Sequence, residues 1–218
     1  MDQVYERIGE LQLQAGDFQE ATNFYVKLEE SSKNSRQENT AWLGLLESYF
    51  KLSQYDRMRG YAKKIIDRGN VSPTATEKAL LYLGLAAYSE GDFDAAIDEF
   101  LTTVNTSTNE YGAQALYTLG LIFYQQKQYQ QSLTTLFDIT NYSAFDDWVG
   151  KGFLLIADNY IALEELFQAK ATVNSIIENS PVPQVVAEAR EKLTAIEKKE
   201  AELVPADTTG NGNNDNRN

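Results

Sequence analysis

Residues 80–100 read LLYLGLAAYSEGDFDAAIDEF, and the spacing inside this stretch decides the fold. Leu80, Leu83, Gly84 and Ala87 recur at intervals of three and four residues, which is the period of one face of an α-helix. Gly91-Asp92 then interrupts the run. A glycine ends a helix by taking the left-handed conformation, and an aspartate opens the next one by accepting a hydrogen bond from a free backbone N–H. Ala96 and Phe100, four residues apart, begin a second apolar face. Small residues at Gly84 and Ala96 let the two helices approach closely while larger neighbours fill the remaining space. The stretch therefore predicts a helix–turn–helix pair. No part of the chain shows sustained period-two alternation, so no sheet is predicted.

The pattern recurs on both sides. Upstream it gives Tyr5, Ile8, Gly9, Gly16-Asp17-Phe18, Ala21 and Tyr25, and then Trp42, Leu45, Leu46 and Tyr49. Downstream it gives Leu116, Leu119, Gly120, Phe123, Tyr129, Ser132 and Leu136, and then Phe153, Ile156, Ala157, Tyr160, Ala169, Val173 and Pro181. Numbering each copy so that the small residue is slot 8, the slot holds Gly9, Leu46, Gly84, Gly120 and Ala157, spaced by 37, 38, 36 and 37 residues. One helix pair cannot bury its apolar face alone, so copies of this kind stack.

Over residues 2–181 the motif W-x2-L-G-x2-Y, A-x3-F and a closing proline resembles the tetratricopeptide-repeat (TPR) family, with a period longer than that family's 34 residues. The longer connections are similar to those of bacterial envelope members, such as the TolA-binding periplasmic proteins and the outer-membrane assembly lipoproteins. The resemblance implies an all-α superhelix, a role as a protein-binding scaffold in a larger bacterial assembly, no catalysis and no cofactor. It places the periplasm or cell envelope ahead of the cytoplasm.

The expected organisation is five repeats at 2–35, 36–72, 73–108, 109–144 and 145–181, a capping helix over 183–202 and a disordered tail over 203–218. The first helix of each pair (A) is predicted at 2–15, 36–52, 74–89, 110–126 and 146–163. The second (B) is predicted at 18–30, 55–68, 93–104, 129–140 and 166–179. Ser35-x-x-Glu38, Thr74-x-x-Glu77, Ser107-x-x-Glu110 and Ser143-x-x-Asp146 read as capping boxes, and Asp17 and Asp92 as N-caps of B helices. In the capping helix, Val185, Val186, Ala189, Leu193 and Ile196 form the apolar stripe. Its charges (Glu188, Arg190, Glu191, Lys192, Glu197, Lys198, Lys199, Glu200) are expected to face solvent. The tail, rich in Gly and Asn, has too little apolar surface to fold.

Composition narrows the function. The chain holds no Cys and no His, which removes thiolate nucleophiles, Cys/His metal sites and the usual neutral-pH base. A net charge of −13 opposes nucleic acid and anionic lipid. No apolar run reaches the roughly 20 residues a membrane helix needs. Residues 1–10, MDQVYERIGE, lack the basic and apolar regions of a signal peptide and open almost inside a helix, as expected of a piece of something longer. The carboxylate pairs Glu29-Glu30, Asp98-Glu99, Asp146-Asp147 and Glu164-Glu165 are helical neighbours pointing about 100° apart, too divergent for acid–base work, and read as surface. The triplets at Asn70, Asn105 and Asn141 match the glycosylation pattern but fall in turns rich in these residues.

Slots 2, 5, 9 and 12 of helix A lie about 130° from the core stripe, where an ordinary amphipathic helix is polar. Here the third copy has Lys78, Leu81, Leu85 and Tyr88, the fourth Gln114, Tyr117, Leu121 and Tyr124, and the fifth Lys151, Leu154, Asp158 and Ile161. In tetratricopeptide arrays this is the concave face, so Lys78, Leu81, Leu85, Tyr88, Gln114, Tyr117, Leu121, Tyr124, Leu154 and Asp158 are the candidate partner-binding residues. Exposure is expected of Leu81, Leu85, Tyr117 and Leu121. For slot 12 and part of slot 5, packing between neighbouring A helices is the competing reading, and the C-terminal tail or a second copy of the chain could also cover the face. The family's carboxylate clamp needs Lys in slots 2 and 5 and Asn in slot 9. Lys78 and Lys151 match slot 2, but Leu81, Leu154, Leu85 and Asp158 break the rest, so that activity is not carried over. Between Lys78 and Lys127 there is no Lys or Arg, whereas Glu90, Asp92, Asp94, Asp98, Glu99 and Glu110 fall inside, which predicts an acidic surround for the groove and a neutral or basic partner with apolar anchors. The basic run Lys51, Arg57, Arg59, Lys63, Lys64 and Arg68 reads as a solvated outer face.

Overall fold

The computed structural model describes residues 2–69 and 72–203, so Met1, Asn70, Val71 and all but Leu203 of the tail expected over 203–218 lie outside it. Among the described residues it consists of α-helices and one 3-10 segment, with no strand. The A helices are α1 (Asp2–Ala15), α3 (Ser35–Lys51), α5 (Pro73–Glu90), α7 (Glu110–Gln125) and α9 (Asp146–Ala162). The B helices are α2 (Phe18–Ser31), α4 (Tyr55–Arg68), α6 (Phe93–Thr106), α8 (Tyr129–Leu136) and α10 (Leu166–Asn179), and α11 (Pro183–Leu203) closes the series. Each helix packs on the next, and each A helix also touches the following A helix, whereas no two B helices touch. The stack therefore bends with the A helices on its inner side and the B helices on its outer side.

The A–B turns are cut to one pattern. The residue at positive φ is Gly16, Ser53, Gly91, Lys127 or Glu164, always seven positions after slot 8. The next residue's N–H closes the A helix by reaching back five positions: Asp17 to Gln12, Gln54 to Tyr49, Asp92 to Ala87, Gln128 to Phe123 and Glu165 to Tyr160, at 2.8–3.0 Å. Where the sequence reads Gly-Asp, the aspartate also caps helix B, Asp17 accepting from the Glu20 N–H and Asp92 from the Ala95 N–H, as expected. The other three turns place an L side chain in the left-handed region, which costs about 1–2 kcal/mol, and Gln54, Gln128 and Glu165 make no side-chain cap. Lys127→Gly with Gln128→Asp is accordingly expected to stabilise the protein by about 1–2 kcal/mol, allowing for the extra freedom of an unfolded glycine. Thermal unfolding followed by circular dichroism checks this; an unchanged or lower midpoint refutes it.

Interlocking across each pair follows a fixed offset of 16 residues from slot 8. A Cβ built on Gly9 comes 3.0 Å from the Tyr25 ring, one on Gly84 comes 2.6 Å from Phe100, and one on Gly120 comes 2.6 Å from Leu136. In the second copy the sizes are exchanged, with Leu46 on helix A and Ala62 on helix B, both fully buried. The fifth copy is intermediate, with Ala157 and Val173. Bulk is shared differently between the two helices in each copy while the gap stays filled, as close packing requires.

Three details differ from the sequence expectation. The fourth B helix stops at Leu136 and continues as a 3-10 segment, Phe137–Tyr142. Leu133, Leu136, Ile139 and Tyr142 are all buried at three-residue spacing, and a 3-10 helix keeps residues i and i+3 on one side. Its last member donates from the Tyr142 hydroxyl to the Ser107 carbonyl at 3.1 Å. The expected capping boxes are also displaced. Asn34 caps α3 by accepting from the Gln37 N–H, and Asn109 caps α7 by accepting from the Tyr111 N–H while bonded to the Ser107 hydroxyl. Ser72 and Phe145 occupy the cap positions of α5 and α9 without a side-chain cap. Asparagine competes well for a cap, and Pro73 at the first helical position of α5 needs no N–H partner, so the start moves off the nearby Ser and Thr. Finally, α11 does not turn all its charges outward. Lys192 pairs with Asp158, Glu200 accepts from Lys170 at 2.7 Å, and Lys199 reaches the Ile161 carbonyl at 3.5 Å.

Candidate functional site

The inner surface is built from successive A helices, and slots 2, 5, 9 and 12 are the positions expected to contribute to it. Burial within those slots is uneven. Leu81 is 1% exposed and Leu154 5%, so both are core residues wedged between neighbouring helices, and Leu154 contributes only an edge to the inner surface. This corrects the expectation of an exposed Leu81: helix-wheel angle alone places slot 5 on the inner side, but the adjacent A helix covers it. Leu85, Gln114, Tyr117 and Leu121 remain half-buried.

Slot 12 is absorbed largely by packing. Phe50, Tyr88 and Tyr124 each lie against the aromatic five residues later that opens helix B, with ring centroids 5.8 Å apart to Tyr55, 5.9 Å to Phe93 and 5.6 Å to Tyr129. Phe50 also meets Tyr82 of the next A helix edge-on at 5.1 Å, and Gln125 donates to the Tyr88 hydroxyl at 2.8 Å. The charged slots are paired across the stack. Lys78 bonds Glu47 at 2.7 Å, and Asp158 is held by Lys192.

What stays open is a cleft of about 180 Å³ between α7, α9 and α11, lined by Tyr117, Leu121, Tyr124, Lys151, Leu154, Leu155, Asp158, Glu188 and Lys192. Tyr117 leans on Trp148 with centroids 5.7 Å apart, and the Lys151 ammonium sits 4.3 Å over the same indole. Burial, with the Asp158 carboxylate adding, pushes the Tyr117 and Tyr124 phenols above their ordinary range. Both therefore stay protonated as neutral donors and acceptors, on rings that offer apolar faces. Glu188 and Lys192 come from the closing helix, and sequence periodicity alone did not bring them to this surface.

The acidic run is not arranged around the groove. Asp92, Asp94, Asp98 and Glu99 sit at the start and along α6, on the outer side, Glu90 pairs with Arg59, and of the six only Glu110, the first residue of α7, stands on an A helix without such a pairing among the described residues. The basic run on α4 is likewise not a bare solvated face. Lys64 bonds Glu29, Arg68 bonds Glu38, both at 2.8 Å, and the Arg68 guanidinium stacks 3.8 Å over Trp42. Glu29, read from sequence as plain surface, accepts from the Trp42 indole, the Tyr61 hydroxyl and Lys64, each at 2.8 Å. Burial works against its charge, but these three donors outweigh it and hold the carboxyl below its usual range. The network ties α2, α3 and α4 together. Its signal in the sequence was the Trp42 and Tyr61 pair, whose polar tips need partners once the rings are buried or half-buried.

Comparison with solved structures carries this geometry further. MamA protein superposes with a TM-score of 0.57 at 19% identity, covering 95% of this chain and 98% of that one. TTC0263, a thermophilic TPR protein from Thermus thermophilus, gives 0.56 at 15%, covering 89% and 100%. The TPR-like repeats of a candidate kinesin light chain from Podospora anserina give 0.59 at 13%, covering 91% and 95%. The fold is a tetratricopeptide-repeat solenoid. No family model matches the chain, and no curated protein matches it. No described helix of this solenoid is long and apolar enough to cross a membrane.

Proposed function

We propose that this TPR solenoid holds a peptide or a partner helix on its inner surface, within a larger bacterial assembly, and that the cleft between α7, α9 and α11 is where the anchor side chain enters. The observation that carries the reading is that Tyr117, Leu121 and Tyr124 keep accessible ring and methyl surface there, beside Lys151, Glu188 and Lys192, while the neighbouring slots are closed by packing or by ion pairs. Half-exposed tyrosines supply large, stiff contact area at low entropic cost. Because the cleft carries both signs of charge, the partner it favours is apolar at its anchor and mixed in charge around it. Of the acidic residues expected around the groove, Asp92, Asp94, Asp98 and Glu99 belong to α6 and its start, on the other side of the stack.

A second reading, in which the groove is filled by the chain itself, has one observation in its favour: α11 already covers the last turn of the inner surface through Lys192 and Lys199. Affinity capture with mass spectrometry separates the two. A partner retained by the wild type and lost by a folded Tyr117→Ala/Leu121→Ala variant is the expected result. Identical captures from both proteins would return the cleft to internal packing.

A further inference from the structure

On the outer side of the stack, two exposed apolar side chains share one position. Leu101 on α6 is 44% exposed, and Phe137, where α8 passes into the 3-10 segment, is 52% exposed. Both stand 17 positions after slot 8 of their copies, so they recur one repeat apart. The same position holds Lys63 in the second copy and Asn174 in the fifth, as a solvated face requires. This side is not a surface that stacking covers. α6 packs only on α5 and α7, and the 3-10 segment only on α7, α8 and α9. A helix stacked on α1 or on α11 leaves it unchanged.

Charge around the pair is of one sign. Asp94, Asp98 and Leu101 lie on one face of α6, at intervals of four and three residues, and Asp138 follows Phe137; all three aspartates are exposed. Glu99 adjoins Asp98, and burial, with the Asp98 charge adding, holds its carboxyl above the usual range. None of these four carboxylates has an ion-pair partner among the described residues, whereas Asp56 and Asp67 of the preceding B helix pair with Arg59 and Lys63. The reason is supply: from Lys78 to Lys151 the sequence holds a single intervening cation, Lys127, in an A–B turn.

An occupant of this side must therefore bring its own cations together with apolar side chains. A second copy does not, because Arg59, Lys63, Lys64 and Arg68 of its basic helix α4 are already bonded to its own carboxylates. Residues 204–218 do not either, with one Arg against two Asp. Anionic lipid and nucleic acid are repelled. We propose that the outer side of α6 and α8 is a second docking surface, for a cationic amphipathic helix of another polypeptide. Its apolar stripe rests on Leu101 and Phe137, and its Lys or Arg side chains face Asp94, Asp98 and Asp138. A helix suits the site because it carries anchors and charges at the three- and four-residue spacing that α6 presents. Exposed charges are screened by salt, so the contact is weak and salt-sensitive. It lies on the opposite side of the stack from the inner cleft and is independent of that reading.

Fluorescence anisotropy tests it with a labelled peptide of about 18 residues, built from leucine and lysine so that one helical face is apolar. The reference is a peptide of the same composition whose order destroys that face. The wild type is expected to bind the patterned peptide with a dissociation constant of about 10–100 µM at low salt, and the reference about tenfold more weakly. Leu101→Ser/Phe137→Ser is expected to weaken binding of the patterned peptide about tenfold, with an unchanged circular dichroism spectrum. Asp98→Asn/Asp138→Asn, which keeps side-chain size, is expected to weaken it about fivefold at low salt and to flatten its salt dependence. Tyr117→Ala/Leu121→Ala is expected to bind as the wild type does. No binding, or equal binding of the two peptides, overturns the proposal by leaving at most the general attraction of a chain of net charge −13. Unchanged affinity in either outer-face variant overturns it as well. Loss of binding in Tyr117→Ala/Leu121→Ala would move the peptide to the inner cleft, so failure here and failure of the cleft reading are distinguishable. Self-association of the wild type that Leu101→Ser/Phe137→Ser abolishes would put a second copy on this face and also overturns the proposal.

Discussion

Gly84→Leu lowers the stability of this solenoid by about 3 kcal/mol or more, and Phe100→Ala in the same chain restores part of the loss. The first β-carbon alone comes 2.6 Å from the Phe100 ring, so α5 and α6 must separate or Phe100 must leave its position in the core. Phe100 is fully buried, so Phe100→Ala by itself costs about 3–5 kcal/mol by leaving a cavity. Together the two changes reproduce the arrangement the second copy already uses, a leucine at Leu46 facing an alanine at Ala62. The double variant is therefore less destabilised than the sum of its parts by at least about 2 kcal/mol, as neighbours in one packed site couple. Urea unfolding of the four proteins in the cycle measures it. Strictly additive losses would mean that slot 8 and the residue 16 positions later do not share one space.

Ala96→Glu is the second large effect. Ala96 is 0% exposed on the face of α6 that meets α5, and a carboxylate placed there has neither water nor a partner cation. α6 packs only on α5 and α7, and the residues of these helices between Lys78 and Lys127 include no Lys or Arg to pair with it. A loss of about 4 kcal/mol at neutral pH is expected. The pH dependence has a definite sign. Burial raises the introduced group's folded pKa above its unfolded value, so the folded state binds more protons. The charge penalty is absent below the unfolded pKa of about 4 and grows as pH rises towards the folded value. Thermal midpoints measured from pH 4 upward should therefore fall further and further behind the wild type. Ala96→Ser is the control. The fourth copy has Ser132 in this slot, where its hydroxyl donates to the Gly120 carbonyl at 2.7 Å, so the serine variant should stay within about 1 kcal/mol of wild type. A neutral-pH midpoint for Ala96→Glu within about two degrees of wild type would show that the slot is not a closed helix–helix contact.

The repeat period, the helix order and most helix ends were legible in the sequence because they depend on local quantities. Apolar spacing is set by the helix itself, the Gly-Asp pairs at residues 16–17 and 91–92 are local turn chemistry, and the alternation of small and large residues 16 positions apart can be counted without coordinates. Even the 3-10 segment left a trace in the three-residue spacing of Leu133, Leu136, Ile139 and Tyr142, which a reading tuned to 3.6 passes over.

The candidate site was legible only in part. Periodicity placed Leu81, Leu154, Tyr117 and Leu121 on one inner side, since angular position about a helix axis follows from residue number alone. Which of them is covered is a property of the neighbouring helix, and that is set by how the copies stack. The stack buries Leu81 and Leu154, leaves Tyr117 and Leu121 half-open, pairs Lys78 with Glu47, and brings Lys192 of α11 across to Asp158. It likewise gathers Trp42, Tyr61 and Lys64 onto Glu29. Taken alone, the sequence determined the helices and the faces each one carries. Tertiary structure decided which faces are spent on neighbouring helices and which remain for partners, because burial depends on distances between helices that no single helix encodes.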